Sequence, residues 1–240
     1  MPSSRSVAVQ TADGTFQARV HVPDAGRGPG VLLLQEIFGV NDFIEGKAAD
    51  LAGLGYVVLA PDVFWRVQPG VALPHDEASL QQAFGLVGRY SAEVPDDKKG
   101  ADLLAALAAL RDLDEVEGGV AVMGYCLGGT LAYVVAAAGD PGAVVSYYGS
   151  GIAGQLELAG QITCPILFHF GGSDTFIPTD QVEAVEAAFA GRPDAEVRIE
   201  PEAGHAFENL LAPQFANPEA AARSWAATVA WLGRHLPAGG

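Results

Sequence analysis

Two cysteines in 240 residues are too few for a disulfide framework. Cys126 and Cys164 therefore point to a reducing compartment, and a cytoplasmic location is expected. Positive charge is also scarce: 13 Lys and Arg stand against 29 Asp and Glu, for a formal net charge of −16. Such a surface repels phosphate backbones and anionic headgroups, which argues against nucleic acid or a membrane as partner. No apolar run approaches the length of about 18 residues that a membrane span requires. Met1–Val7 lacks the apolar stretch of a signal sequence. No repeat, linker or low-complexity segment interrupts the chain, so one domain over 1–240 is expected. Half of the residues are hydrophobic, enough for a sizeable core. A small-molecule partner and a monomer or small homo-oligomer fit these bounds, and nothing calls for a metal or other cofactor.

Loose alternation over 7–10 and 15–22, around Ala12-Asp13-Gly14, predicts an antiparallel hairpin. Beyond it, short apolar runs alternate with helical spacing. Gly30–Leu34, Tyr56–Ala60, Gly119–Gly124, Ala143–Tyr148 and Ile166–Phe170 read as strands buried on both faces, and Val197–Glu200 as a weaker last strand. Helices are expected over 43–54, 76–90, 97–112, 127–138, 179–190 and 217–235. Leu103, Leu104, Leu107 and Leu110 form one apolar stripe. The alternation implies an α/β class with a mostly parallel central sheet and helices on both faces. Residues 62–76, without clear periodicity, form a candidate flap.

Gly124-Tyr125-Cys126-Leu127-Gly128-Gly129 follows the run Val120–Met123 and opens a helical stretch. Glycines on either side of Cys126 let strand and helix approach while the middle side chain projects from a strained turn. At a helix amino terminus, unpaired N–H groups favour thiolate over thiol. The competing reading is a glycine-rich turn with a small buried cysteine. Against it stand Asp174, in Gly171-Gly172-Ser173-Asp174 after the fifth parallel run, and His205, in Ala203-Gly204-His205 after the last strand. The order nucleophile, acid, base, each at the carboxyl end of a strand, matches an α/β-hydrolase fold. His21 (early strand), His75 (irregular stretch), His169 (between phenylalanines) and His235 (near the chain end) fit the base role less well. Cys164, before Pro165 and an apolar run, reads as an inert core thiol.

These residue types imply an acyl-enzyme. A Cys126 thiolate attacks an acyl carbon, His205 protonates the leaving group and then activates water, and Asp174 orients the imidazole. Two amides should hold the oxyanion: Leu127, and Ile37 in the loop after the first parallel strand. In that loop Glu36 is a carboxylate directly after a buried strand, costly without a partner. It reads either as a solvated loop acid or as a group that manages the thiol proton.

Gln35-Glu36-Ile37-Phe38-Gly39-Val40-Asn41, Ala60-Pro61-Asp62, the Cys126 elbow and Gly204-His205-Ala206-Phe207 together resemble the dienelactone hydrolase family. The resemblance implies a small-ester or lactone hydrolase (a carboxylesterase in the wide sense) with Cys126, Asp174 and His205 as triad. It also implies that Glu36 contacts the thiol, so that the thiolate forms only when needed. The family's two carboxylate-gripping arginines are missing: their positions match Leu80, four residues before Phe84, and Asn209, four after His205. Leu80, Phe84 and Val87 form an apolar stripe, read as core packing or as a pocket wall. Phe38, Arg66, Leu80, Phe84, Tyr125, Phe207 and Asn209 are the substrate-binding candidates, with Arg66 the one cation expected at the catalytic face. Neutral substrates are therefore expected. The competing functions are acyl transfer on the same site and a thiol-based ligand or redox sensor without turnover.

Overall fold

The computed structural model describes residues 3–238, which gather into two compact units. One runs through Val120 and takes in Pro237; the other spans Ala121–Leu236. Among the described residues, eight strands, mostly parallel, and six α-helices make up an α/β-hydrolase fold.

In the first unit the hairpin forms as expected, with β1 (Ser3–Gln10) antiparallel to β2 (Thr15–Val22). Its turn is closed by the Thr11 amide on the Gly14 carbonyl at 2.9 Å. β3 (Gly28–Leu34) and β4 (Val57–Pro61) are parallel to each other, and β2 pairs antiparallel with β4, giving the order β1-β2-β4-β3. Val31–Leu34 and Val57–Leu59 are fully buried, which is why these strands carry no alternation. α1 (Asp42–Gly53) is capped by Asn41, whose side chain accepts from the Ile44 amide. α2 (Glu77–Glu93) is capped in the same way by Asp76, from the Ser79 amide at 2.8 Å.

The buried face of α2 is Ser79, Ala83, Leu86 and Tyr90. Leu80, Phe84 and Val87 lie off that face, and Phe84 is exposed, so core packing does not explain their stripe. In α3 (Asp96–Arg111), Leu103, Ala106, Leu107 and Leu110 face inward, but Leu104 points out. Asp102 takes part in that inward face because it holds two partners, the Trp65 indole and Arg66.

The second unit is fully parallel, in the order β5-β6-β7-β8. β5 (Val116–Tyr125) leads into α4 (Leu127–Ala138), and β6 (Ala143–Tyr147) leads into a 3-10 segment over Ile152–Gln161 that periodicity did not reveal. β7 (Ile166–Gly171), α5 (Thr179–Ala188), β8 (Ala195–Glu200) and α6 (Pro218–His235) follow. Under the strand ends, Tyr125, Tyr147, Tyr148 and Phe207 pack ring on ring, all fully buried. Side chains of this size stabilise by roughly 1.5–3 kcal/mol each. His169 is stacked on Tyr147 at 4.3 Å, with Nε2 3.0 Å from the Thr228 hydroxyl. Burial pushes its pKa down to about 3, so it is a neutral core histidine.

Candidate active site

The turn between β5 and α4 is possible only because its flanks lack side chains. A Cβ on Gly124 would lie 2.0 Å from the Gly128 carbonyl oxygen, and one on Gly129 would lie 2.4 Å from that of Tyr147. Cys126, between them, adopts φ 53° and ψ −115°, a strained conformation for a side-chain-bearing residue. Two backbone bonds hold it there. Its amide donates to the Tyr147 carbonyl at 3.0 Å, and its carbonyl accepts from Thr130 at 3.2 Å. Leu127 is the first residue of α4, where amides have no intrahelical acceptor. Tyr148 and Ala206 are also left-handed, so three of the four described non-glycine residues with positive φ cluster at this site.

Asp174 sits in the loop after β7, wholly shielded at its side chain. Its Oδ1 accepts from the Phe176 amide at 2.7 Å and the Ile177 amide at 3.2 Å, which keeps Oδ2 free to face His205 Nδ1 at 2.7 Å. That contact assigns the proton to Nδ1 and turns Nε2 to the Cys126 sulfur, 3.1 Å away. Burial pulls the His205 pKa down, yet the charge on Cys126 and the Asp174 hydrogen bond outweigh it and lift the value to about 10. With Cys126 ionised, the imidazole is therefore an imidazolium at neutral pH. Burial instead pushes the Cys164 thiol up to about 11, as befits an unreactive core residue.

Two aromatic rings flank His205: Tyr148 at 5.1 Å and Phe176 at 5.0 Å. Phe176 is 51% exposed, beside the histidine that it flanks. Neither was singled out from sequence. The available signal was position, since both follow the carboxyl ends of parallel strands.

In the first unit, the loop after β3 is fixed from several directions. Gln35 Oε1 accepts from the Val63 amide at 3.1 Å, and Phe38 and Val40 exchange backbone bonds with Leu73 and Val71. Gly39 makes that pairing possible, at φ 82° with Val71 oxygen only 1.9 Å from where a Cβ would stand. Glu36 is not a solvated loop acid. Its side chain is 3% exposed, and Oε2 lies 3.0 Å from Nε2 of His75, itself 5% exposed. Phe38 is buried against the His75 ring at 4.4 Å, and Ile37 is half-buried. The 62–76 stretch, expected as a flap, is tied down, with Asp62 accepting from the Phe64 amide at 3.1 Å and the Gly70 amide at 2.7 Å.

Several substrate-binding expectations need correction. Tyr125 and Phe207 are wholly buried in the aromatic cluster, so they support the turn and the His205 loop from behind. Asn209 is also fully buried, and its Oδ1 caps a turn through the Leu211 amide at 3.0 Å. Arg66 is not a free cation. It makes a bidentate pair with Asp102 at 2.7 and 2.8 Å, reaches Asp13 at 2.8 Å and covers the Trp65 ring. These partners hold its pKa well above the ordinary arginine value. Leu80, by contrast, is half-buried and Phe84 exposed, which leaves both able to meet a ligand.

Among the described residues, no group of three or more His, Cys, Asp or Glu could hold a metal ion, and no helix is long and apolar enough to cross a membrane. The parallel sheet with a strained cysteine turn and a histidine–aspartate pair at strand ends defines an α/β-hydrolase. The model of the dienelactone hydrolase family matches residues 16–236, and the chain belongs to that family. A carboxymethylenebutenolidase of Pseudomonas sp. (strain P51) is 40% identical over 94% of this chain and 93% of its own length. One from Pseudomonas putida is 37% identical over 85% and 86%. Among solved structures, a dienelactone hydrolase-like promiscuous phosphotriesterase from metagenomic libraries superposes with TM-score 0.82 at 28% identity, over 98% of this chain and 99% of its own. The chain is accordingly a hydrolase.

Proposed function

We propose that this protein hydrolyses small carboxylic esters or lactones through an acyl-enzyme on Cys126, with His205 and Asp174 completing the triad. The observation that carries this reading is the unbroken line from the Cys126 sulfur through His205 to Asp174, at 3.1 and 2.7 Å. The whole span of the family match, 16–236, supports treating the chain as one hydrolase domain. The names of the carboxymethylenebutenolidase relatives support the lactone class.

The raised pKa of His205 beside an ionised Cys126 makes the imidazolium the proton donor to the leaving group. The thiol proton passes to the Glu36 carboxylate, in keeping with the family resemblance, and beside the resulting thiolate His205 is held as an imidazolium. The thiolate then bonds to the acyl carbon, with the oxyanion received by the amides of Leu127 and Ile37. Collapse breaks the ester C–O bond, and the imidazolium gives its proton to the departing oxygen. Neutral His205 next takes a proton from water as the water oxygen attacks the thioester. The sulfur leaves and recovers its proton from Glu36, which closes the cycle.

Neutral substrates fit best. Leu80 and Asn209 stand where the family's arginines would be, and Arg66 is engaged by Asp102 and Asp13. A carboxylate entering a partly apolar cleft without a cation loses several kcal/mol of hydration.

Replacing Cys126 with alanine tests the nucleophile. The kcat/KM for a p-nitrophenyl ester should fall by about a thousandfold or more while the thermal melt is kept. Activity above about a tenth of wild type would overturn the cysteine assignment.

A further inference from the structure

The loop after β4 closes a cavity of about 420 Å3 against β2, and the reaction above does not use it. We propose that this cavity binds a small organic cation, with an ammonium head at Asp62 and an apolar body against Phe16 and Trp65. Every described residue that lines it belongs to the first unit, and neither the triad nor Glu36 is among them.

The cavity has the size of a small-molecule site, and its walls are fastened in place. Phe16 and Trp65 stack with ring centroids 5.5 Å apart, and the Trp65 indole N–H is anchored on Asp102 at 2.8 Å. Val71 is held through its carbonyl, which accepts from the Val40 amide at 3.1 Å, and Ala72 pairs with Gly39. Gly70 is fixed by its own amide, which donates to Asp62 Oδ2 at 2.7 Å. Val40 and Ala60 add to the apolar lining.

The charges in the lining decide the sign of the ligand. Arg19, the one cation among the described lining residues, is engaged at every nitrogen. Its Nε donates to Glu45 at 2.8 Å, and Nη1 and Nη2 donate to the hydroxyls of Ser6 and Ser4, both at 3.1 Å. Asp62 is the opposite case. It is 8% exposed and lines the cavity, yet among the described residues no Lys, Arg or His pairs with it. Each carboxylate oxygen accepts one amide, Phe64 at 3.1 Å and Gly70 at 2.7 Å, which leaves each with capacity for a further donor. Burial pushes its carboxyl above the ordinary value, and those two amides oppose the shift. A cation placed here offsets the desolvation of that charge. Glu45 adds a second carboxylate to the lining, and the net charge of −16 draws cations toward the surface. An anion would meet two carboxylates and an arginine already engaged.

The test uses three probes that share a ring and differ in charge: benzylammonium, benzyl alcohol and benzoate. The full chain is titrated with each at neutral pH and followed by NMR through its three tryptophan indole N–H signals. The signal lost in Trp65→Phe identifies Trp65. Benzylammonium should shift that signal and bind at least about tenfold tighter than benzyl alcohol, with benzoate weaker still. Asp62→Asn removes the charge, keeps an oxygen for a backbone amide, and should bring benzylammonium to the affinity of benzyl alcohol. If Asp62→Asn does not fold, Gln17→Lys serves, because Gln17 is exposed on β2 within the lining. A lysine there should weaken benzylammonium by about tenfold and spare benzyl alcohol. Equal affinities for benzylammonium and benzyl alcohol, tighter binding of benzoate, an unmoved Trp65 signal, or benzylammonium binding unchanged in the folded variant would each overturn the proposal.

Discussion

At the scale of single residues, the protonation of His205 is the sensitive variable. Two groups hold its pKa up against burial, the charge on Cys126 and the hydrogen bond donated to Asp174. Removing the sulfur in Cys126→Ala leaves Asp174 alone to oppose burial. The His205 ring should then titrate well below the value of about 10 that it has beside an ionised Cys126. Ring-proton NMR across pH reads this directly, and an unchanged titration would mean that the sulfur is not the group that charges the imidazole. The sign for stability follows from the same shift. A histidine whose pKa rises on folding contributes fully below its ordinary value of 6.5, and the contribution disappears as pH climbs through about 10.

At the scale of elements, the loop after β3 is coupled to the 71–73 segment through one glycine. Gly39→Ala would put a Cβ 1.9 Å from the Val71 oxygen at a φ that disfavours any side chain. The pairing should open, at a cost of at least about 1–3 kcal/mol. Limited proteolysis should begin cutting within 62–76, and kcat/KM should fall as Glu36 loses its support. A wild-type cleavage pattern would contradict the coupling.

Much of this scale was legible in the sequence. Buried strands announced themselves as continuous apolar runs, and Cys126, Asp174 and His205 fell in order at the carboxyl ends of β5, β7 and β8. The Glu36–His75 contact was not legible, because it depends on a bridge between two irregular loops that carries no periodic signal. The buried face of α2 was not legible for a related reason. Its buried stripe runs through Ser79 and Ala83, small residues that a hydrophobicity pattern passes over, while Phe84 points outward. Arg66 was misjudged because its partners, Asp13 and Asp102, are far away in sequence.

At the scale of the whole molecule, the charge of −16 adds a salt-screened repulsion to the missing local cation for any anionic substrate. Short neutral esters or lactones should exceed their carboxylate-bearing analogues in kcat/KM by at least about tenfold, or roughly 1.4 kcal/mol. Added salt should narrow the gap only in part. Leu80→Arg should narrow it further if α2 lines the cleft. A wild-type preference for an anionic lactone would contradict the neutral-substrate reading and would require a cation source other than Arg66.

The central claim is covalent, and the most direct test is to catch the bond. Wild-type protein is mixed with an activated ester, quenched in acid within the first turnover, digested and mapped by mass spectrometry. An acyl adduct on the peptide containing Cys126, absent from Cys126→Ala, is the expected result. Turnover with no adduct on that peptide, or an adduct elsewhere that persists in Cys126→Ala, would contradict cysteine catalysis at this site.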